Sequence, residues 1–224
     1  MNGLAVITAD GSHTLYVPEL KEYYHSVYGA INESLHIFIR AGLRKIIDRK
    51  DELNILETGF GTGLNAFLTC MEADAEKKKV SYTSLEPDPV PEQTWSTLNY
   101  PDHFSSADYR PVFRKLHNSE WNKEEVISHF FTLLKLRMKM EDVQLPGKKF
   151  DLVYHDAFGP DVQPELWTTN IFIKLFNSMA TGGILVTYSA KGEVRRVLQQ
   201  CGFGVERLPG PQGKRHMTRA IKLI

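Results

Sequence analysis

The stretch Leu53-Asn-Ile-Leu-Glu57-Thr-Gly59-Phe-Gly61-Thr-Gly63 decides how this chain folds. A short apolar run ends at Glu57, glycines follow at 59, 61 and 63, and a helix-like segment runs from Leu64 to Ala73. Strand, tight glycine turn and helix start is the arrangement by which open α/β sheets bind nucleotide-like cofactors at the carboxyl end of a strand. A dinucleotide fingerprint needs its third glycine three positions after the second, yet position 64 is Leu and the third glycine falls at 63. The resulting acidic-x-G-x-G-x-G pattern favours S-adenosylmethionine over a nicotinamide or flavin dinucleotide. That molecule has no phosphate, so Gly59, Gly61 and Gly63 would supply backbone room and Glu57 a polar contact. Glycine turns also occur with no ligand, and this stretch alone leaves both readings open.

Further acidic residues at strand ends extend the first reading. Val80 to Leu85 reads as a second strand ending at Glu86, which lies 23 residues beyond Gly63. That is close to the offset of roughly 20 residues at which an acidic side chain meets a ribose hydroxyl in nucleotide-binding α/β folds. A solvated residue at a strand end is the alternative, since Asp88 stands nearby. Phe130 to Asp142 alternates in its second half and reads as a strand, with Asp142 at the end where an adenine amino group is read. Phe150 to His155 is an apolar strand that delivers Asp156 to the crevice, followed by the turn Ala157-Phe158-Gly159-Pro160. Asp156 either anchors a polar group there or caps its own loop through backbone N–H groups.

Composition narrows the class. The 224 residues are enough for one domain with a sizeable core, and 42% hydrophobic with 24% charged residues is ordinary for a globular protein. No run of about 18 apolar residues and no basic-then-apolar leader occurs, so a membrane span or secretory signal is not expected and a cytoplasmic location follows by default. Cys70 and Cys201 stand far apart without metal-type spacing, which predicts reduced thiols and no bound metal. The 27 basic residues balance the 27 acidic ones, so any nucleic-acid contact must come from local patches.

Ahead of the glycine stretch, residues 4 to 17 read as a hairpin around Asp10-Gly11. Pro18 suits the first turn of a helix through Glu22 and the tyrosines that follow. Asn32 is placed to cap a second helix to about Arg49. Residues 1–50 are therefore expected to form a hairpin and helical extension on a core of 51–224. Beyond the glycine stretch come a helix over Pro91 to Leu98, irregular helix over Tyr100 to Trp121, and an amphipathic helix over Pro164 to Ala180. A strand over Ile184 to Ser189, a helix over Gly192 to Gln200 and strands over Val205 to Leu208 and Arg219 to Ile224 close the chain. The alternation predicts an α/β, Rossmann-like fold, a mostly parallel seven-stranded sheet covered on both faces, its last strand antiparallel because only the 209 to 217 loop precedes it.

Such a reversed last strand resembles the class I S-adenosylmethionine-dependent methyltransferase fold. Six segments resemble one family more specifically, the bacterial tRNA methyltransferases that complete 5-methylaminomethyl-2-thiouridine at the wobble position. They are Asp10-Gly-Ser-His-Thr-Leu-Tyr, Tyr24-His-Ser, Glu57-Thr-Gly-Phe-Gly-Thr-Gly-Leu-Asn, Asp156-Ala-Phe-Gly-Pro with Pro164-Glu-Leu-Trp, Tyr188-Ser-Ala-Lys-Gly-Glu-Val-Arg-Arg, and Gly213-Lys-Arg-His-Met. Gly159 stands where Ala is commoner in the family. The resemblance implies methyl transfer to the amine of 5-aminomethyl-2-thiouridine in the anticodon stem-loop, with Asp156 as the catalytic candidate. It implies that Tyr24, His25 and Ser26 border the site, that Phe158 beside Pro160 packs on the base, and that Lys191, Arg195, Arg196, Lys214 and Arg215 hold tRNA phosphates. Glu57, Glu86 and Asp142 would contact the methionine amino group, ribose and adenine. No flavin-binding oxidase half is recognisable, so a separate enzyme is expected to supply the aminomethyl group. A methyltransferase acting on a small-molecule or protein amine, and a non-catalytic tRNA- or nucleotide-binding protein, are the alternatives.

Overall fold

The computed structural model describes residues 3–105 and 108–223. Its frame is an eight-stranded sheet built outward from β4, Glu52–Thr58, the strand of the glycine stretch. Strand β4 pairs in parallel with β5, Lys79–Leu85, on one side and with β8, Phe150–His155, on the other. Strand β7, Phe131–Leu136, extends the parallel set beyond β5, and β9, Met179–Thr187, extends it beyond β8. As expected, the last strand reverses: β11, His216–Lys222, runs antiparallel to both β9 and β10, Phe203–Pro209. It begins three residues earlier than expected, and Ile224 lies outside the described residues. The eighth strand, β6, Glu124–Val126, was not foreseen; it pairs antiparallel with the edge of β7 and is too short and polar to carry a periodic signal.

Because β4 has neighbours on both sides that leave by different crossovers, the chain opens a crevice at its carboxyl end. Helix α2, Leu64–Glu76, packs one face of the sheet, together with Phe38, Phe67, Tyr82 and Tyr154 in one buried cluster. Helices α5, Thr169–Ser178, and α6, Gly192–Gln200, cover the other, around Leu56, Val153, Phe172 and Leu185. The apolar runs of β4 and β8 follow from this burial on both faces.

The N-terminal region departs furthest from expectation. Strands β1, Leu4–Ile7, and β2, His13–Val17, form the expected hairpin. Instead of a helix, residues 18–21 make a turn with Lys21 at φ 55°, and β3, Glu22–Tyr23, joins β2. Sheet pairing to a ready-made edge wins over a helix too short to nucleate. The next helix, α1, begins at Ala30 rather than at an Asn32 cap, runs to Ser34 and continues as a π-helix to Arg40. Its free N–H groups are satisfied by the hairpin: Asn32 N donates to Asp10 Oδ2 at 3.0 Å and Ile31 N to Ser12 Oγ at 3.3 Å. The helix stops at Gly42, where a Cβ would lie 2.5 Å from the Phe38 carbonyl oxygen, and only a single 3-10 turn over Leu43–Lys45 follows.

The remaining differences are of length. The 91 to 98 helix shrinks to α3, Glu92–Trp95, and the 100 to 121 region contains α4, Arg110–Asn118. Strand β9 starts at Met179, well before Ile184, and consumes the end of the 164 to 180 helix, whose first turn, Pro164–Trp167, is 3-10. Strand β7 ends at Leu136, six residues short of Asp142. No described helix is long and apolar enough to cross a membrane. Cys70 is buried, Cys201 partly so, and both are free.

Gly63 caps α2 at φ 72°, and a Cβ on it would lie 2.8 Å from His117 Nε2. Gly63→Ala is expected to lower the unfolding free energy by about 2 kcal/mol, from left-handed strain and the displaced imidazole. Denaturant midpoints at unchanged slope check it.

Candidate active site

The crevice above β4 is a cavity of about 520 Å³. Its floor is the turn after β4, and its walls come from the 22–28 loop, the Leu85–Asp88 turn, the 138–141 segment, the 156–159 turn and Lys214. Of the residues singled out in the sequence, Tyr24, His25, Ser26, Gly59, Gly61, Glu86, Asp156, Phe158 and Lys214 meet here.

Glu86 is buried and straps the floor. Its Oε2 accepts from Gly61 N at 3.0 Å and its Oε1 from Asp88 N at 2.9 Å, which leaves further acceptor positions on both oxygens. A Cβ on Gly61 would lie 3.0 Å from the Tyr24 ring, and one on Gly59 3.2 Å from the Asp156 carbonyl oxygen. The floor is thus bare backbone with an adjacent carboxylate, which fits a hydroxyl-rich, phosphate-free nucleoside such as that of S-adenosylmethionine.

Asp156 leaves β8 beside this floor and accepts from Asn65 Nδ2 at 2.8 Å through Oδ2. Burial pushes its carboxyl up to about 7, the Glu33 charge adding and the Asn65 bond and Lys214 opposing. The turn behind it is fixed from three sides. Phe158 N donates to Gln163 Oε1 at 3.1 Å, Trp167 Nε1 to Phe158 O at 2.8 Å, and the Tyr188 hydroxyl to Ala157 O at 2.9 Å. Phe158 meets Tyr24 edge-on at 5.1 Å, so two aromatic rings border the cavity. Pro160 lies in the turn and not in the wall.

His25 is buried with its Nε2 2.8 Å from Thr62 Oγ1, and burial pulls its pKa down to about 4, so it is a neutral support of the glycine loop. Ser26 N donates to Glu33 Oε2 at 2.7 Å. Lys214 Nζ pairs with Glu33 Oε1 at 2.6 Å and stands 4.0 Å from the Tyr188 ring centre, so it belongs to the cavity and not to a free phosphate-binding surface.

Further expectations are corrected by position. Glu57 is fully buried beneath the loop, accepting from Ser84 Oγ at 2.7 Å, and does not line the cavity because the glycine turn passes over it. Asp142 is exposed in the 139–143 turn, since β7 ends early; Met140 and Glu141 line the cavity in its place. Lys191 is held by Asp161, with Glu193 at 3.9 Å. Arg196 and Arg215 are exposed and Arg195 half-buried. Arg195, Arg207 and Arg215 surround His216 and, after burial, lower its pKa. Gly63 also lies outside the wall, acting as the cap of α2.

Sequence reasoning missed Glu33, Asn65 and Gln163 as parts of the site. Asn65 follows the glycines and carries a weak signal, whereas Glu33 and Gln163 reach the site only through folding. Tyr188 stood in a quoted segment without a role. Beneath the floor, buried Lys135 donates to His117 O at 2.6 Å between the Phe60 and Trp121 rings, and His117 Nε2 reaches Thr62 O at 3.1 Å. Among the described residues no group of His, Cys, Asp and Glu is placed to hold a metal ion.

Glu86→Ala is expected to weaken S-adenosylmethionine binding about tenfold or more by calorimetry, since two ribose hydroxyls would lose their acceptor. A second prediction concerns Glu57, whose carboxyl burial pushes from its ordinary 4.5 up to about 8. A carboxyl raised on folding favours the folded state fully below the unfolded value and loses that contribution as pH climbs through the folded one. Glu57→Gln is therefore expected to gain stability relative to the wild type as pH rises from about 4.5 to 8, measured as denaturant midpoints along that range.

Comparison with known proteins agrees with this geometry. Residues 109–223 match the family model of S-adenosyl-L-methionine-dependent methyltransferases. The chain is 30% identical over 227 residues to the tRNA 5-methylaminomethyl-2-thiouridine biosynthesis bifunctional protein MnmC of Cupriavidus metallidurans, covering 96% of this chain and 33% of that protein. To the protein of the same name from Aromatoleum aromaticum it is 31% identical, covering 88% and 32%. The chain thus spans about a third of the length of these curated relatives. Among solved structures, MNMC2 from Aquifex aeolicus superposes with a TM-score of 0.78 at 27% identity, covering 98% of this chain and 70% of that one. Spermidine synthase from Thermotoga maritima, at 12% identity and a TM-score of 0.60 over 94% and 69% of the two chains, shares the fold. With the family model matched over half its length and the cofactor floor in place, this chain belongs to the S-adenosyl-L-methionine-dependent methyltransferases.

Proposed function

We propose that the chain methylates the primary amine of 5-aminomethyl-2-thiouridine at the wobble position of tRNA, giving 5-methylaminomethyl-2-thiouridine, in the cytoplasm. The observation that carries this reading is Asp156, a carboxylate set beside the glycine floor in a cavity whose wall also holds Glu22, Glu33, Glu86, Asp88, Glu141 and Glu165 against Lys139 and Lys214. An acidic cavity of this kind suits a cationic amine. The relatives named for 5-methylaminomethyl-2-thiouridine biosynthesis point to the same acceptor.

When bound, S-adenosylmethionine supplies a sulfonium-activated methyl group, whose carbon–sulfur bond breaks as the amine nitrogen forms its new bond and sheds one proton. Glu86, Gly59 and Gly61 would hold that cofactor, with the free acceptor positions of the Glu86 carboxylate serving its ribose hydroxyls. Asp156 orients the amine by accepting one of its N–H bonds, and a carboxyl pushed up to about 7 is suited to take up the departing proton near neutrality. Phe158 and Tyr24 stack on the uracil ring once it leaves the anticodon stack. Outside the cavity, Arg195, Arg196 and Arg215 hold phosphates of the anticodon stem-loop and position it without reading sequence. Residues 1–50 act as an extension that closes the cavity over the methyltransferase core.

A small-molecule amine would satisfy the same acidic wall. The arginines gathered around His216, one of them adjacent to cavity-lining Lys214, favour a polyanionic acceptor instead. The aminomethyl group must arise in an earlier reaction, which precedes this one on the same uridine.

The test is nucleoside mass spectrometry of hypomodified tRNA incubated with enzyme and S-adenosylmethionine, beside a panel of small amines. The tRNA is expected to gain one methyl at the aminomethyl nitrogen. Asp156→Ala is expected to slow that transfer by roughly 10²- to 10⁴-fold with cofactor affinity retained. An Asp156→Ala enzyme working at the wild-type rate would remove the assignment.

A further inference from the structure

Three segments remote in sequence are fastened together at the rim of the cavity by one ion pair. Glu33, in the first turn of α1, is buried and uses both carboxylate oxygens, Oε2 for Ser26 N at 2.7 Å and Oε1 for Lys214 Nζ at 2.6 Å. Lys214 comes from the loop joining β10 to β11, 181 residues away. Its ammonium lies over Tyr188, whose hydroxyl holds the carbonyl of Ala157, the residue after Asp156. The side chains of Glu33 and Lys214 are 6% and 32% exposed, so the pair is largely withdrawn from water. A pair so withdrawn is a poor source of stability, because desolvation offsets the attraction. Its position in the wall beside Asp156 needs another reason.

The geometry points to a charge-setting role: Glu33 and Lys214 form a positioning pair in which Glu33 draws the Lys214 ammonium away from the Asp156 carboxylate, leaving Asp156 as the anion that meets the acceptor amine. This rests on Asp156 being the amine-facing group. If Lys214 were released toward Asp156, the two would neutralise each other and an incoming ammonium would find no attraction. If Lys214 were absent, two carboxylates would face the amine together and hold it protonated, with no lone pair for the methyl group.

The groups around Asp156 permit few other outcomes. From α1 it faces Glu33, from the β10–β11 loop Lys214, and from β4 Glu57 below. Tyr82 of β5 and Tyr188 after β9 face it as phenols, and Asn65 of α2 as a neutral donor. Lys214 is the one cation among these named groups, and Glu33 holds it directly.

The two partners therefore have opposite effects. The experiment is a pH titration of ligand-free protein carrying ¹³C-carboxyl aspartate, with the Asp156 signal assigned by Asp156→Asn. Glu33→Gln is expected to move the Asp156 midpoint down by about one pH unit, Lys214→Met to move it up by about one, and the double variant to return it near the wild type. A merely structural clasp would disturb the site in the same sense whichever partner is lost. Midpoints that shift in one common direction, or that stay put in both variants, overturn the proposal; Lys214→Gln replaces Lys214→Met if the latter fails to fold. The acid limb of kcat/KM for tRNA methylation is expected to follow the same two signs. Wild-type enzyme that methylates no tRNA while the opposite NMR shifts appear counts against the proposed acceptor and supports the pair, whereas active enzyme without the shifts counts against the pair alone.

Discussion

Five residues after β4, three of them glycines at φ 95°, 50° and 72°, impose the constraint on which the site depends. The left-handed backbone of this turn is contacted on every side: by Tyr24 above Gly61, by the Asp156 carbonyl beside Gly59 and by His117 against Gly63. A side chain at any of the three would force the turn away from one of those neighbours. The turn therefore acts as a hub into which the N-terminal loop, the end of β8 and helix α4 all lock. Its underside is supported by Lys135 and His117, and its upper side by the Glu86 carboxylate, each using hydrogen bonds to the turn's own backbone or to the segment next to it.

That hub organises an unusual concentration of buried charge. Glu57 sits buried under the turn and Glu86 on it, Asp156 stands half-buried beside it at the cavity wall, and Glu33 is buried across from it. Burial raises the pKa of the first three, and the opposing interactions differ for each: a hydroxyl for Glu57, backbone N–H groups for Glu86, an amide and a more distant lysine for Asp156. Carboxylates whose environments differ in this way are separated chemically within one cavity, which is what the proposed division of roles between Glu86 and Asp156 requires. Glu86 is committed to N–H donors of the loop and of the turn after β5, while Asp156 is restrained by a single amide, which leaves it free for the role proposed for it toward the acceptor amine.

The N-terminal region shows how local preference yields to assembly. Alone, the segment after Pro18 has a helix start, and Asn32 has the chemistry of a cap. In the fold, β2 offers an unpaired edge that captures residues 22 and 23, and Asp10 and Ser12 of the hairpin turn reach the N–H groups at the start of α1. The hairpin thereby becomes an external cap, α1 starts three residues earlier with Gly29 rather than Asn32 at its cap, and Glu33 is turned inward to the cavity. The loop from Tyr24 to Tyr28 is left to pass over the glycine turn as a wall of the site.

What the sequence determined by itself is the part written in contiguous stretches. The glycine spacing, the acidic residues at the ends of β5 and β8, and the missing helix before the last strand imply a doubly covered, mostly parallel sheet and a cofactor of the right chemistry, because those signals act over a strand and the turn that follows it. Tertiary structure decided which acidic groups face the cavity. Glu57 and Asp142 have the same residue types as Glu86 and Asp156, yet one is covered by the turn it precedes and the other is carried past the site by an early end to β7. Glu33, Asn65, Gln163 and Lys214 converge from four separate segments, and their meeting depends on how helices and loops pack across the sheet. Residue order carries no local trace of that packing, since it is fixed by burial and by charges finding partners in space.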